Sequence, residues 1–187
     1  MKNLNIACYC VDFNNYDFLL EILERTAFAG TGAELSMFSD RPEYMEELLG
    51  QRERFSRYPV TFHGPYMEVE ATEDKGSVGY EKIKQAYEMA FDVYEKFQAN
   101  SIVMHTNQRE IPPEKKKTYQ KNATEVIAEI AEKARSRKVN LLVENVGETM
   151  YGNLLFDEQE YIDLFQKLPD STGAIIDIGH AILNGWN

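Results

Sequence analysis

Basic residues are scarce in this chain of 187: 20 Lys+Arg stand against 31 Asp+Glu, a formal net charge of −11. A protein held to nucleic acid through the phosphate backbone needs a basic face, and none is visible, so nucleic acid is not an expected partner. Long apolar runs are missing too. Nothing approaches the roughly 18 consecutive apolar residues of a membrane-spanning helix, so no membrane partner is expected either. The opening Met1-Lys2-Asn3-Leu4-Asn5 leads into a short apolar run without a signal-peptide cleavage pattern, and a cytoplasmic location is the expectation. Only two cysteines occur, Cys8 and Cys10. At i, i+2 in a strand they share a face, and with no third or fourth ligand nearby they read as small buried residues in a reducing compartment.

What is present is the balance of an ordinary globular domain, 43% hydrophobic and 27% charged, with a length that suits one domain over residues 1–187. Short apolar runs alternate with helical patterns: Leu4–Cys10, Ala33–Phe38, Val60–His63, Ser101–His105, Asn140–Glu144 and Ala174–Asp177 read as strands. Between them, Ile83, Tyr87, Ala90, Phe91, Tyr94 and Phe97 recur at steps of three and four, as do Val126, Ile127, Ile130, Ala131 and Ala134. Asp157 with Glu160 predicts a capping box. The run Glu114-Lys115-Lys116-Lys117 reads as a solvated first helical turn, not a phosphate site. Six strand–helix repetitions predict parallel strands with right-handed crossovers, an α/β protein.

The three histidines fall at informative places. His63 and His105 end the third and fourth strands, and His180 lies just past the sixth; Glu144 and Asp177 close the fifth and sixth. A lone strand-end histidine is usually satisfied by a backbone carbonyl. An acid closing an apolar strand is stranger, because it carries charge into a mostly buried site. Together, imidazoles and carboxylates on one rim suit a divalent ion such as Zn²⁺, Mn²⁺, Co²⁺ or Fe²⁺. An open doubly wound sheet would gather its ligands at one switch point, often behind a glycine-rich loop after the first strand. Cys8-Tyr9-Cys10-Val11-Asp12 has no such loop, and a (β/α) barrel gives the strand-after-strand pattern directly.

At His63-Gly64-Pro65, His105, Glu144-Asn145 and Asp177-Ile178-Gly179-His180 the chain resembles the xylose isomerase-like TIM-barrel superfamily, home of sugar phosphate isomerases/epimerases and of the endonuclease IV family. The epimerase-like resemblance implies a divalent metal (Mn, Zn, Co or Mg) on Glu144 and Asp177, with Glu144 and His180 as catalytic residues. Substrate contacts are then expected from His63, His105, Glu34 (read as closing strand two), Tyr66 and Asn145, and the partner is a small sugar or sugar phosphate. The endonuclease IV-like resemblance instead implies a multi-zinc cluster of His63, His105, Glu144, Asp177 and His180. The charge balance favours the sugar. A non-catalytic sugar-binding or assembly module is the third reading.

The family barrel has eight strands and about 250 residues, whereas six of eight β/α units are read here. The resemblance places two further metal ligands, a histidine and a glutamate, on the absent strands, so this chain holds two of four and is expected to be weak or inactive alone. Truncation of a longer parent, completion of the sheet in a homodimer, and a shortened relative turned binding module all fit. Leu183 and Trp186 are expected to lack a packing partner.

Overall fold

The computed structural model describes residues 6–10, 15–26, 30–147 and 153–186. Six strands, β1 (Ile6–Cys10), β2 (Thr31–Ser36), β3 (Val60–His63), β4 (Ser101–His105), β5 (Leu141–Glu144) and β6 (Gly173–Ile175), form one sheet in the order β1-β2-β3-β4-β5-β6. Every pairing is parallel. Among the described residues the helices are α1 (Tyr16–Arg25), α2 (Pro42–Gly50), α3 (Arg52–Phe55), α4 (Val78–Phe97), α5 (Lys116–Arg137), α6 (Glu158–Phe165) and α7 (Ile178–Leu183). Consecutive strands thus neighbour one another with helical crossovers, the TIM-barrel-like α/β arrangement that the alternating pattern predicts.

Parallel strands covered on both faces need apolar residues on both. Ser101, Ile102, Val103 and Met104 of β4 are accordingly all buried. The helical stripes pack as their spacing dictates: Ile83, Tyr87, Ala90 and Phe91 of α4 and Val126, Ile127, Ile130, Ala131 and Ala134 of α5 are in the core. Each large side chain so buried contributes about 1.5–3 kcal/mol. Tyr94 and Phe97 are only partly buried. The capping box forms, Asp157 Oδ1 accepting the Glu160 N–H at 2.8 Å and Glu160 Oε2 that of Asp157 at 2.9 Å. The lysine run opens as a 3₁₀ turn, Pro113–Lys115, before α5, and Lys116 pairs with Glu160 at 2.8 Å.

Three expectations are corrected. Strand β6 ends at Ile175, so Asp177 does not close it but sits at the N-cap of α7, with Oδ1 accepting the His180 N–H at 2.8 Å. Glu34 does not close β2 but lies inside it, paired with Tyr9 and Thr61, because the strand continues past it to Ser36. Trp186 does find a partner, the Tyr161 ring at 5.5 Å. Cys8 is half-buried, and the side chain of Cys10 lies outside the described residues. Among the described residues β1 pairs with β2 alone and β6 with β5 alone. Beside β6, Ile176, Ile178, Ile182 and Leu183 are exposed. No helix among the described residues is long and apolar enough to cross a membrane.

Helices α4 and α5 are also tied through charge. Glu129 on α5 accepts from Lys75 at 2.8 Å and lies 3.2 Å from Lys84 on α4; the bond from Lys75, foremost, holds its carboxyl down to about 2. A carboxyl whose folded pKa is depressed contributes stability above its ordinary range, and that contribution is lost as pH falls toward the folded value. Glu129→Gln is therefore expected to narrow its stability gap from wild type as pH drops from about 5 to about 2, as read by urea midpoints across pH. A gap independent of pH would contradict the pairing.

Candidate functional site

The parallel register delivers the polar residues to one edge of the sheet. His105 of β4 is level with Glu144 of β5, and His63 of β3 is level with Ser36 of β2. Each follows a buried apolar strand, so the strand fixes the backbone while the polar side chain occupies the first position past the core.

Glu144 is central. It is 8% exposed, with Oε2 3.4 Å from His105 Nε2 and Oε1 3.7 Å from His180 Nδ1. Among the described residues no lysine or arginine lies within 4.0 Å of it. Two groups of donor atoms converge here, His63–His105–Glu144 and Glu144–Asp177–His180, each with its atoms within 4.8 Å of one another. Glu144 belongs to both. Neutral imidazoles and carboxylates gathered this closely match the donor set of a divalent cation, whose charge would compensate the buried acid.

Asn145 ties the second group together. Its Oδ1 accepts the Asp177 N–H at 2.7 Å, its Nδ2 donates to the Asp177 carbonyl at 3.1 Å, and its own carbonyl is 2.8 Å from His180 Nδ1. The ring of His180 lies close over Gly147, where an added Cβ would come within 2.9 Å of His180 Cδ2. Glycine at 147 thus leaves room for the imidazole.

On the β3 side, burial and the neighbouring His105 lower the His63 pKa to about 4, so its imidazole is neutral at neutral pH. The His63 ring is 4.7 Å from that of His105 and 4.8 Å from that of Tyr66, each nearly perpendicular. Tyr66 also meets Phe38 at 6.2 Å. Burial, followed by the charge of Glu144, raises the Glu34 carboxyl above its usual range. The structure therefore brings Glu144, Asp177, His180, Asn145, His63, His105 and Tyr66 together, while Glu34 feels the site from within the strand.

Three participants are not apparent from sequence. Tyr9 of β1 stacks on His63 at 5.5 Å and accepts a bond from Ser36 Oγ at 3.1 Å, and burial pushes its phenol up to about 12. Gln108 Nε2 lies 2.7 Å from His105 Nδ1. Glu70, buried in the loop after β3, accepts the backbone N–H groups of Thr72 at 2.9 Å, Gln108 at 2.9 Å and Arg109 at 2.7 Å. Alternation along β1 allows Tyr9 an inward face, but loop contacts such as those of Glu70 follow no periodicity.

Comparison with known proteins agrees with this geometry. No curated protein matches the chain by sequence. Among solved structures, D-allulose 3-epimerase from Methylomonas sp. superposes with a TM-score of 0.75 at 12% identity, covering 98% of this chain and 66% of that one. An AP endonuclease, family 2, from Brucella melitensis gives 0.71 at 17% identity, covering 96% and 70%. A Thermus thermophilus protein soaked with ZnCl2 gives 0.67 at 18% identity, covering 95% and 67%. At such identities the likeness is one of fold, and this chain spans about two thirds of the length of these structures. The family model described as Xylose isomerase-like TIM barrel matches residues 26–187, and with His63, His105 and Glu144 at the ends of parallel strands beside Asp177 and His180 of α7, the chain belongs to that family.

Proposed function

We propose that this chain carries the site of a metal-dependent isomerase or epimerase acting on a small sugar or sugar phosphate. The carrying observation is Glu144: a buried carboxylate without a described lysine or arginine neighbour, facing imidazoles at 3.4 and 3.7 Å and sharing donor-atom distance with Asp177. Glu144 and Asp177 would hold the cation, which when bound supplies Lewis-acid polarisation of a carbonyl and its neighbouring hydroxyl. Epimerase similarity in fold supports a sugar as the substrate.

The remaining chemistry belongs to the chain. Glu144 is positioned to take the proton from the carbon next to the carbonyl, leaving an enediolate, and to deliver it to the adjoining carbon in an isomerisation, whereas epimerisation requires a second acid on the opposite face. Asn145 holds Asp177 and His180 in register through its three bonds, so its role is positioning. His180 and His63 orient substrate hydroxyls, and Tyr66 offers a ring face beside them. Turnover by this chain alone is expected to be weak, since it spans only two thirds of its solved relatives.

A second reading, metal-dependent phosphodiester hydrolysis, draws on the additional His63–His105–Glu144 group and on the AP endonuclease likeness. Metal content separates the two. Wild type loaded with Mn²⁺ or Zn²⁺ is expected to retain one ion per chain, and a Glu144→Ala/Asp177→Ala double variant none, by elemental analysis with light scattering for mass. Two or three zinc ions per chain would favour the hydrolase. No retained ion would overturn the metal-site reading.

A further inference from the structure

The three imidazoles around Glu144 are wired differently. His180 Nδ1 lies 2.8 Å from the Asn145 carbonyl and His63 Nδ1 3.3 Å from that of Gly64. A carbonyl only accepts, so both rings carry their proton on Nδ1 and leave Nε2 as a lone pair, the arrangement typical of a metal-binding histidine.

His105 is reversed. Its Nε2 faces Glu144 Oε2 at 3.4 Å, an acceptor that favours a proton on Nε2. Nδ1 is then the acceptor, and its neighbour at 2.7 Å is the amide nitrogen of Gln108, a donor. The short Gln108 contact sets the tautomer, and the Glu144 carboxylate is placed to suit it. Gln108 is in turn held by its backbone, because Glu70 Oε2 accepts the N–H groups of residues 108 and 109.

We infer that Gln108 is a positioning residue that fixes His105 as the Nε2–H tautomer, so that His105 presents its N–H to Glu144 and does not serve as a metal ligand. The inference rests on the isomerase reading and deepens it. With the cation on the Glu144–Asp177 side, the His105 Nε2–H faces Glu144 Oε2 and orients that carboxylate. A cluster using His105 as ligand would require the lone pair on Nε2, and hence a proton on Nδ1 pointing at the Gln108 amide protons.

Imidazole nitrogen spectra of the ¹⁵N-labelled 187-residue chain test this directly, without metal, at pH 8 where ordinary imidazoles are neutral. Single histidine-to-asparagine variants assign the signals. His105 is expected as the Nε2–H tautomer and His180 as the Nδ1–H tautomer. Gln108→Glu replaces the donor with an acceptor and is expected to put a proton on His105 Nδ1, abolishing the neutral Nε2–H signal of that ring alone. Gln108→Met, which removes the donor without adding charge, is expected to give a mixture. An Nδ1–H signal for His105 in wild type overturns the inference, as does a tautomer indifferent to both substitutions. The spectra stand whether or not the chain retains metal, so failure of the metal-site reading registers separately, in elemental analysis. Zinc titration supplies the link: a second ion that binds wild type through His105 Nε2 overturns the inference, whereas a His105 that keeps its Nε2–H signal under zinc supports it.

Discussion

Glu70→Ala is expected to lower stability by about 3–5 kcal/mol, a cost far above that of an ordinary loop substitution. The carboxylate is buried and accepts three backbone N–H groups, those of Thr72, Gln108 and Arg109, at 2.7–2.9 Å. Alanine leaves those donors without their acceptor in a region where water has little access, at about 1–3 kcal/mol for each group that stays dry. Arg109, 3.6 Å from Glu70 through Nε, still pairs with Glu73 and offers no replacement acceptor. Glu70→Gln keeps one acceptor oxygen and is expected to lose roughly half as much. Urea unfolding reads the shift as a lower midpoint at unchanged slope. Amide exchange at residues 108 and 109 should accelerate, and the His105 tautomer should loosen with them, because Gln108 reaches His105 from that turn. A Glu70→Ala variant within about 0.5 kcal/mol of wild type would show that the loop between β3 and α4 is not pinned in this way.

The contrast between Glu70 and Glu144 marks how far sequence reading reaches. Glu144 ends a run of three apolar residues, Leu141-Leu142-Val143, and an acid there is conspicuous because periodicity places it at the edge of a buried strand. His63 and His105 stand out for the same reason, and all three take the strand-end positions expected of them. The elements too were legible, since parallel strands and amphipathic helices follow distinct hydrophobic periods. Asp177 shows where this begins to fail. Ile176-Asp177-Ile178 continues the alternation of a strand, but the competing bond from Asp177 Oδ1 to the His180 N–H turns the chain into α7 instead. Glu34 was misplaced by the same kind of boundary error. Glu70, Gln108 and Tyr9 were not legible as site residues at all. Their partners lie 38 and 39 residues away for Glu70 and across strands for Tyr9, and no local pattern encodes such contacts.

Gly64→Ala is the substitution expected to damage the site scaffold most per atom added, at about 3 kcal/mol and a fall in Tm of roughly 6–12 °C. Glycine at this position is required by close approach: a Cβ would lie 2.4 Å from the Val103 carbonyl oxygen, 3.0 Å from the Tyr87 hydroxyl and 3.1 Å from Ile102 Cγ2. The first of these is backbone of the adjoining strand, and the same carbonyl accepts the Gly64 N–H at 2.9 Å. The added methyl therefore pushes against the acceptor of its own residue's hydrogen bond, and relief requires β3 and β4 to separate. Tyr87 cannot yield easily either, being buried beneath the loop with its hydroxyl near the Pro65 carbonyl. Separation of these strands moves His63 away from His105, so the His63 Nδ1 contact to the Gly64 carbonyl should be lost together with stability. Thermal unfolding and the His63 imidazole signal should shift together in Gly64→Ala, whereas Gly50→Ala, at a helix end with open space around it, is expected to leave both unchanged. A normal Tm in Gly64→Ala would mean that the His63-Gly64-Pro65 turn tolerates a side chain, and that the tight crossing onto β4 is not what holds His63 in place.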